Sequence, residues 1–221
     1  MLQTVDRSRP YPGSALKEKP SGISGLLWLL SLLICSFLVT ISFTYLDVPV
    51  ARHALGVLGS GKLLAKGFAS AILLGIEATV VLALVIVRIV RGRLPRIYEA
   101  TALACLTSIC VYAINDSTLK LLFGVPNPMA VLSGARHAIE FLRGSAGSSF
   151  PSGHMALAGA FAGVFMRLYQ ASILLFTALL LVGAVLLIAG DWHFLSDVIA
   201  GTFLGVSAGF LAGEIWLVHS R

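Results

Sequence analysis

Residues 172–190 read SILLFTALLLVGAVLLIAG, a run without a single charged side chain. An α-helix needs about 20 apolar residues to cross the hydrocarbon core of a bilayer, so this run predicts a transmembrane helix. Similar apolar runs lie at residues 24–46, 67–90, 97–122, 153–169 and 195–218. The sequence therefore predicts an all-α, polytopic membrane protein that forms a six-transmembrane-helix bundle.

The overall composition excludes a soluble globular protein. The chain is 57% hydrophobic and 12% charged, whereas soluble domains are about 45–50% apolar and about 25% charged. The formal net charge of +6 raises the possibility of nucleic-acid binding. The basic residues, however, lie between the apolar runs and form no continuous basic face, so we expect no nucleic-acid partner.

We predict one membrane domain over residues 23–221, preceded by a disordered cytoplasmic tail over residues 1–22. Six crossings place both termini on the same side of the cell membrane. Lys and Arg are enriched in cytoplasmic connections. The connection between the second and third runs is rich in arginine, which indicates that this connection and both termini are cytoplasmic. Its arginines are Arg88, Arg91, Arg93 and Arg96.

The polar residues with chemical potential fall at the ends of the predicted helices three to six. By the topology above, all of them emerge on the extracytoplasmic side. They are Lys120 at the end of helix three, Ser152, Gly153 and His154 at the start of helix four, and His193 and Asp197 between helices five and six.

Residues 148–154, SSFPSGH, predict a loop that turns into a helix N-terminus, with Ser152 as the capping residue. The free backbone N–H groups and the positive end of the helix dipole at such a start can bind an anion. An ordinary helix cap would explain Ser152 and Gly153 equally well. It would not explain a histidine, His154, at a membrane boundary.

His193 and Asp197 are four residues apart, so on a helical turn they would share one face. The carboxylate could then accept a hydrogen bond from the imidazole and fix its tautomer. The other ring nitrogen would be left to attack phosphorus or to take a proton. An isolated pair with this spacing is also compatible with a structural role, but the nearby His154 and the predicted anion site favour catalysis.

Residues from about 112 to 209 resemble the type 2 phosphatidic acid phosphatase superfamily, the lipid phosphatases related to vanadium haloperoxidases. The resemblance rests on FPSGH at residues 150–154 and on HFLSDVIAG at residues 193–201, in this order and spacing. It implies a catalytic core made of helices three to six. It also implies that the enzyme needs neither a metal nor a cofactor.

The resemblance also implies a role for each matching residue. His193 would be the nucleophile that forms a phosphohistidine, and Asp197 would orient it. His154 would be the general acid that protonates the leaving alkoxide and then helps to activate water. The phosphate oxygens would be held by Ser152, Gly153 and Lys120.

Two arginine positions of the family pattern are occupied by other residues. The first motif has Arg-Pro after Lys and six further residues, whereas Lys120 is followed at that distance by Asn127 and a proline. The third motif has Arg six residues before the nucleophile, where this chain has Leu187. Losing one oriented donor commonly costs about 2.7–4 kcal/mol of transition-state stabilisation, so the activity could be reduced.

The outer connection between helices three and four contains two further arginines. We hypothesise that Arg143, and less readily Arg136, replaces part of the missing positive charge. The alternative is that both are ordinary solvated loop residues.

We expect a membrane lipid phosphate phosphatase that hydrolyses a phosphomonoester or diphosphate of a lipid at the extracytoplasmic surface. Transfer of the phosphate to another acceptor could use the same intermediate. One alternative is a weakly active or inactive relative that binds lipid head groups or acts as an assembly partner. Another is an intramembrane serine protease, in which Ser152 would be the nucleophile and Asp197 dispensable. The lipid, the oligomeric state and the roles of Glu77 and Asp116 stay open.

Overall fold

The computed structural model describes residues 25–58, 66–134, 142–144 and 147–220, excepting the side chains of residues 58 and 66–69. The predicted tail over residues 1–22 lies outside the described residues, and so does Arg136. In the described ranges all regular secondary structure is helical, which confirms the predicted all-α class.

The described part of the chain forms nine α-helices. Short π-helices over Ser42–Leu46 and Asn115–Leu119 join α1 to α2 and α4 to α5, and a 3-10 turn precedes α8. The α-helices are α1 Gly25–Ile41, α2 Asp47–Leu58, α3 Lys66–Arg91, α4 Arg96–Ile114, α5 Lys120–Phe123, α6 Pro128–Leu132, α7 Gly153–Leu168, α8 Ile173–Ala189 and α9 Leu195–His219.

Among the described residues, five helical stretches are long and apolar enough to cross a membrane. They are Gly25–Val57, Ser70–Arg91, Arg96–Leu132, Gln170–Ala189 and Leu195–His219. The sixth predicted crossing is α7, whose 16 residues reach about 24 Å, less than the roughly 30 Å of the hydrocarbon core. Most α7 residues are buried, whereas α1 buries none, so α7 lies inside the bundle and α1 faces lipid.

Helices α7 and α9 touch through their backbones. Gly201, Gly205, Gly209 and Gly213 recur every fourth residue of α9 and are all buried. A Cβ atom on Gly205 would lie 2.3 Å from the carbonyl oxygen of Ala156. In membranes, rows of small residues allow such close approach, which strengthens van der Waals packing between helices. The row therefore holds the beginnings of α7 and α9 side by side.

A buried polar contact ties α3 to α4 and α7. The hydroxyl of Ser108 on α4 lies 2.9 Å from Oε1 of Glu77 and 2.9 Å from the carbonyl oxygen of Leu157. A carboxyl group within a membrane span is costly unless it is paired. The contact therefore gives Glu77 a bundle-facing structural role, away from the lipid.

We expect Gly209→Ala to lower the free energy of unfolding by about 1–3 kcal/mol, the usual cost of overpacking. The new methyl group would lie 2.3 Å from the carbonyl oxygen of Ala160. The measurement is thermal unfolding in detergent. Gly75→Ala is the matched control, because a Cβ atom there meets nothing within 4 Å. Equal melting temperatures for the two variants would contradict the backbone contact.

Candidate active site

His193 and Asp197 lie together at the start of α9. Nδ1 of His193 is 3.4 Å from Oδ2 of Asp197, and both side chains are buried. His193 precedes the helix instead of lying on its first turn, because α9 begins at Leu195. Oδ2 of Asp197 turns back to the helix start and also accepts the N–H of Phe194 at 2.8 Å. With a proton on Nδ1 facing this carboxylate, Nε2 carries the lone pair.

The start of α7 is bonded to the start of α9. The N–H of Ser152 donates to the carbonyl oxygen of Asp197 at 3.0 Å. Ser152 is the N-cap of α7, and its Oγ accepts the N–H of Met155 at 3.4 Å. As a result the His154 and His193 rings lie next to each other, with centroids 5.8 Å apart.

Trp192 also packs against His154, with ring centroids 5.5 Å apart. It also contacts the buried cluster of Met155, Leu187 and Val198. This contact escaped the sequence analysis because a tryptophan near a membrane boundary is common. Trp192 therefore restricts the orientation of the His154 ring.

Lys120 lies beside the amino end of α7. Its side chain is buried, and a Cβ atom on Gly153 would lie 3.6 Å from Nζ. Nζ donates to Oδ1 of Asp116 at 2.6 Å, so Asp116 is one partner of this lysine. A cation next to the positive end of a helix dipole favours a bound anion. Asp116 provides one negative charge for Lys120 to pair with, and a bound phosphate could provide more than one.

Asn115 and Tyr112 complete the wall around the start of α7. The side chain of the fully buried Asn115 donates to the carbonyl oxygen of Pro151 at 3.1 Å. A Cβ atom on Gly153 would lie 3.1 Å from the Tyr112 ring. Glycine therefore allows the backbone at Gly153 to come close to these groups. Neither contact could be read from the sequence, since both partners come from α4 and the π-helix after it.

The two substituted arginine positions have structural explanations. Asn127 is the N-cap of α6, where its Oδ1 accepts the N–H of Ala130 at 2.9 Å. Leu187 is buried in the apolar cluster with Met155 and Val198. Neither residue brings a positive charge to the site.

Arg143 has an exposed side chain and precedes a residue packed against the Lys120 backbone. The N–H of Gly144 donates to the carbonyl oxygen of Leu121, and a Cβ atom on Gly144 would overlap the carbonyl oxygen of Lys120. The backbone at Arg143 is therefore held near Lys120, while its side chain is exposed.

Two residues of the N-terminal half also reach this region. Asp47, the first residue of α2, is buried, and its carboxylate accepts both the N–H and the hydroxyl of Ser196. Ser70 on α3 places its Oγ 2.9 Å from Nε2 of His154. Sequence reasoning missed both, because their partners are 149 and 84 residues away.

Asp191 lies between the last two spans and is 3% exposed. Burial raises the pKa of its carboxyl group above the usual range. Its backbone has a φ of 54°, in the left-handed region that Asp and Asn tolerate better than most residues. The tight turn at Asp191 carries the chain from α8 to His193.

Among the described residues, no three His, Cys, Asp or Glu side chains come close enough to hold a metal ion.

We expect Asp47→Ala to lower the free energy of unfolding by about 1–3 kcal/mol, because it leaves two buried donors of Ser196 without an acceptor. The measurement is thermal unfolding in detergent. Glu99→Ala is the matched control, since this half-exposed carboxylate lies 3.9 Å from Arg88 in a surface ion pair worth at most about 1 kcal/mol. If Asp47→Ala melts no earlier than Glu99→Ala, Asp47 does not anchor α9.

Residues 100–218 match the family model described as the PAP2 superfamily. A similar solved structure is that of a transmembrane PAP2-type phosphatidylglycerolphosphate phosphatase from Bacillus subtilis. The two are 16% identical with a TM-score of 0.49, over 88% of this chain and 98% of that one. No curated protein sequence matches the chain.

The matched segment covers more than half of the chain and contains Lys120, His154, His193 and Asp197. The resemblance noted in the sequence is therefore confirmed, and the chain belongs to the PAP2 superfamily.

Proposed function

We propose that the protein is a lipid phosphate phosphatase that works through a phosphohistidine on His193. The observation that carries the proposal is the pair of adjacent imidazoles, 5.8 Å apart, at the amino end of α7. One imidazole is oriented by a buried carboxylate, and a buried lysine lies beside the same helix end. A nucleophile, its orienting group, an acid and an anion site are together the parts that phosphoryl transfer needs.

The first step forms the covalent intermediate. The lone pair on Nε2 of His193 attacks phosphorus, and the bond between phosphorus and the lipid oxygen breaks. His154, protonated at the outset, gives its proton to the departing oxygen, so the lipid leaves as an alcohol. Asp197 stabilises the positive charge that develops on His193 through the contact at Nδ1.

The second step releases phosphate. His154, now neutral, takes a proton from water while the water oxygen attacks phosphorus. The bond between phosphorus and Nε2 breaks, and its electron pair returns to His193. Inorganic phosphate leaves, and both histidines regain their starting protonation states.

The amino end of α7 would hold the phosphate oxygens. The backbone at Gly153, the Ser152 hydroxyl and Nζ of Lys120 surround this end. We propose that Arg143 adds a further positive charge, because its side chain is exposed and the next residue, Gly144, is held against the Lys120 backbone. His193 is 1% exposed, so substrate entry requires neighbouring side chains to move.

An apolar substrate tail is supported by the surroundings of α9. A cavity of 640 Å³ lies between α1, α8 and α9, with mainly apolar side chains along its wall. The α9 residues that line this cavity begin at Leu195, two residues after His193, and end at Phe210. A tail in this cavity would lie in the hydrocarbon region while its phosphate is held at the end of the bundle.

A weakly active or inactive relative is the second candidate. It is favoured by Asn127 and Leu187, which leave two arginine positions of the family without a charge. Such a protein would bind lipid head groups or act as an assembly partner. An intramembrane serine protease has no such support, since Ser152 lies within the segment that matches the PAP2 superfamily.

We expect purified wild-type protein to release phosphate from at least one lipid phosphate, and His193→Ala to reduce this activity by about a thousandfold or more. Lipid monophosphates and diphosphates in detergent micelles form the substrate panel. His219→Ala is the matched control, because this exposed histidine lies at the far end of α9, where its Nδ1 bonds the carbonyl oxygen of Ile215.

Trapping with radioactive lipid phosphate should label wild-type protein on a histidine. The label should be stable in alkali and labile in acid, as phosphohistidine is. Equal turnover by wild type and His193→Ala, or equal labelling of both, would eliminate the phosphohistidine mechanism. Head-group binding without turnover would favour the second candidate.

We also propose that the site faces the extracytoplasmic side and that both termini are cytoplasmic. Ser70 contacts His154, and Arg91 ends the same helix 21 residues later, which corresponds to about 32 Å. The site and the arginine-rich connection are therefore at opposite ends of α3. Since such connections are enriched on the cytoplasmic side, this separation supports an extracytoplasmic site.

An impermeant maleimide should label Leu142→Cys in intact cells and should label Arg93→Cys only after the membrane is opened. Leu142 is exposed near Lys120, and Arg93 is exposed in the arginine-rich connection. The unsubstituted protein is the control for its native cysteines, Cys35, Cys105 and Cys110. The reverse labelling pattern would invert the proposed topology.

A further inference from the structure

Helix α3 turns two buried polar residues toward the bundle. Among its described side chains, only Ser70 and Glu77 are buried, and they are seven residues apart on one face. Glu77 contacts Ser108 on α4, whereas Ser70 contacts Nε2 of His154 at 2.9 Å. The helix therefore supplies a hydroxyl group to a histidine of the site, although it precedes the segment matched by the family model.

We propose that Ser70 is a positioning residue for proton transfer by His154. The inference rests on the proposed phosphatase function, in which His154 protonates the departing oxygen. The proposal gives His154, the general acid, a hydrogen-bond partner from a helix that lies outside the segment matched by the family model.

The chemistry of a hydroxyl group suits this task. An imidazolium ring has an N–H on both nitrogens, whereas a neutral ring has one N–H and one lone pair. Because Nε2 faces Ser70, the proton given to the departing oxygen would leave from Nδ1, and the Ser70 hydroxyl would accept a hydrogen bond from Nε2–H. Ser70 therefore keeps its contact with His154 before and after the proton is transferred.

Two contacts of different kinds limit the motion of the His154 ring. Ser70 bonds the ring at Nε2, and the Trp192 ring packs against it with centroids 5.5 Å apart. A packing contact restricts tilt, whereas a hydrogen bond at one ring nitrogen also selects the rotation about the Cβ–Cγ bond. Loss of the hydroxyl should thus leave the ring in place but misdirect its proton.

The leaving group separates this role from a purely structural bond between α3 and α7. An alkoxide needs a proton as it departs, whereas p-nitrophenolate is stable without one. A residue that acts through the acid should therefore affect alkyl phosphates and spare aryl phosphates. A residue that only holds two helices together should affect both to the same extent.

The test compares kcat/KM for p-nitrophenyl phosphate and for a long-chain alkyl phosphate in Ser70→Ala. This constant covers the steps up to the phosphoenzyme, so slow release of phosphate does not hide the effect. We expect a loss of about ten- to a hundredfold on the alkyl phosphate, in line with a hydrogen bond to a charged group, and little change on the aryl phosphate. His154→Ala should show the same selectivity with a larger loss.

Thr79→Ala is the matched control. Thr79 is an exposed residue on α3 whose hydroxyl bonds the carbonyl oxygen of Gly75. Removing this hydroxyl should leave kcat/KM unchanged for both substrates. Should Ser70→Ala fail to fold, Ser70→Cys provides the second variant, because it nearly preserves the size and replaces the hydroxyl with a weak donor. Equal losses on the two substrates, or no loss on either, would overturn the proposal.

A spectroscopic measurement keeps the test independent of turnover. The protein is labelled with ¹⁵N-histidine, and the Nε2 resonance of His154 is assigned by its loss in His154→Ala. At one pH, Ser70→Ala should shift this resonance, whereas Thr79→Ala should leave it unchanged. An unmoved resonance overturns the Ser70 proposal even in active protein. Absence of turnover in wild type together with a moved resonance counts against the proposed function and supports the contact.

Discussion

The backbone contact between α7 and α9 is the constraint on which the rest of the site depends. Four glycines at every fourth position of α9 allow its backbone to approach α7 closely, so their amino ends lie side by side. The Ser152 N–H then bonds the carbonyl oxygen of Asp197, one helix start against the other. His154 and His193 are adjacent because each belongs to one of these two helix starts. Packing that looks purely structural thus determines where the chemistry can take place.

This arrangement concentrates positive potential at one end of the bundle. The start of a helix carries a partial positive charge, and Lys120 adds a full one beside it. Asp116 offsets part of this charge in the described structure. The replacement of two family arginines, at Asn127 and Leu187, leaves fewer cations than the family pattern has. Under the proposed function, a phosphate would therefore depend more on the helix end, on Lys120 and on Arg143 than it would with both arginines present.

The first two spans do more than enclose the segment matched by the family model. Asp47 bonds Ser196 at the start of α9, and Ser70 bonds His154 at the start of α7. Donors and acceptors that are buried away from water need hydrogen-bond partners in the protein, and each contact provides such a partner near the start of a helix. The N-terminal half thereby contributes one contact to each of the two helix starts. Glu77 and Ser108 extend the same support deeper into the bundle.

The sequence by itself determined the membrane class, the approximate spans and the family, because apolar run length and short motifs are local properties. It also determined that the histidines and Lys120 fall at helix ends. It placed His193 in the connection before the last span, and α9 begins at Leu195, two residues later. Only the tertiary structure decided the contacts of Asp47, Ser70 and Asn115, and the burial of Leu187. These contacts depend on which helix faces pack together. A local sequence pattern does not show which distant residues will be in contact.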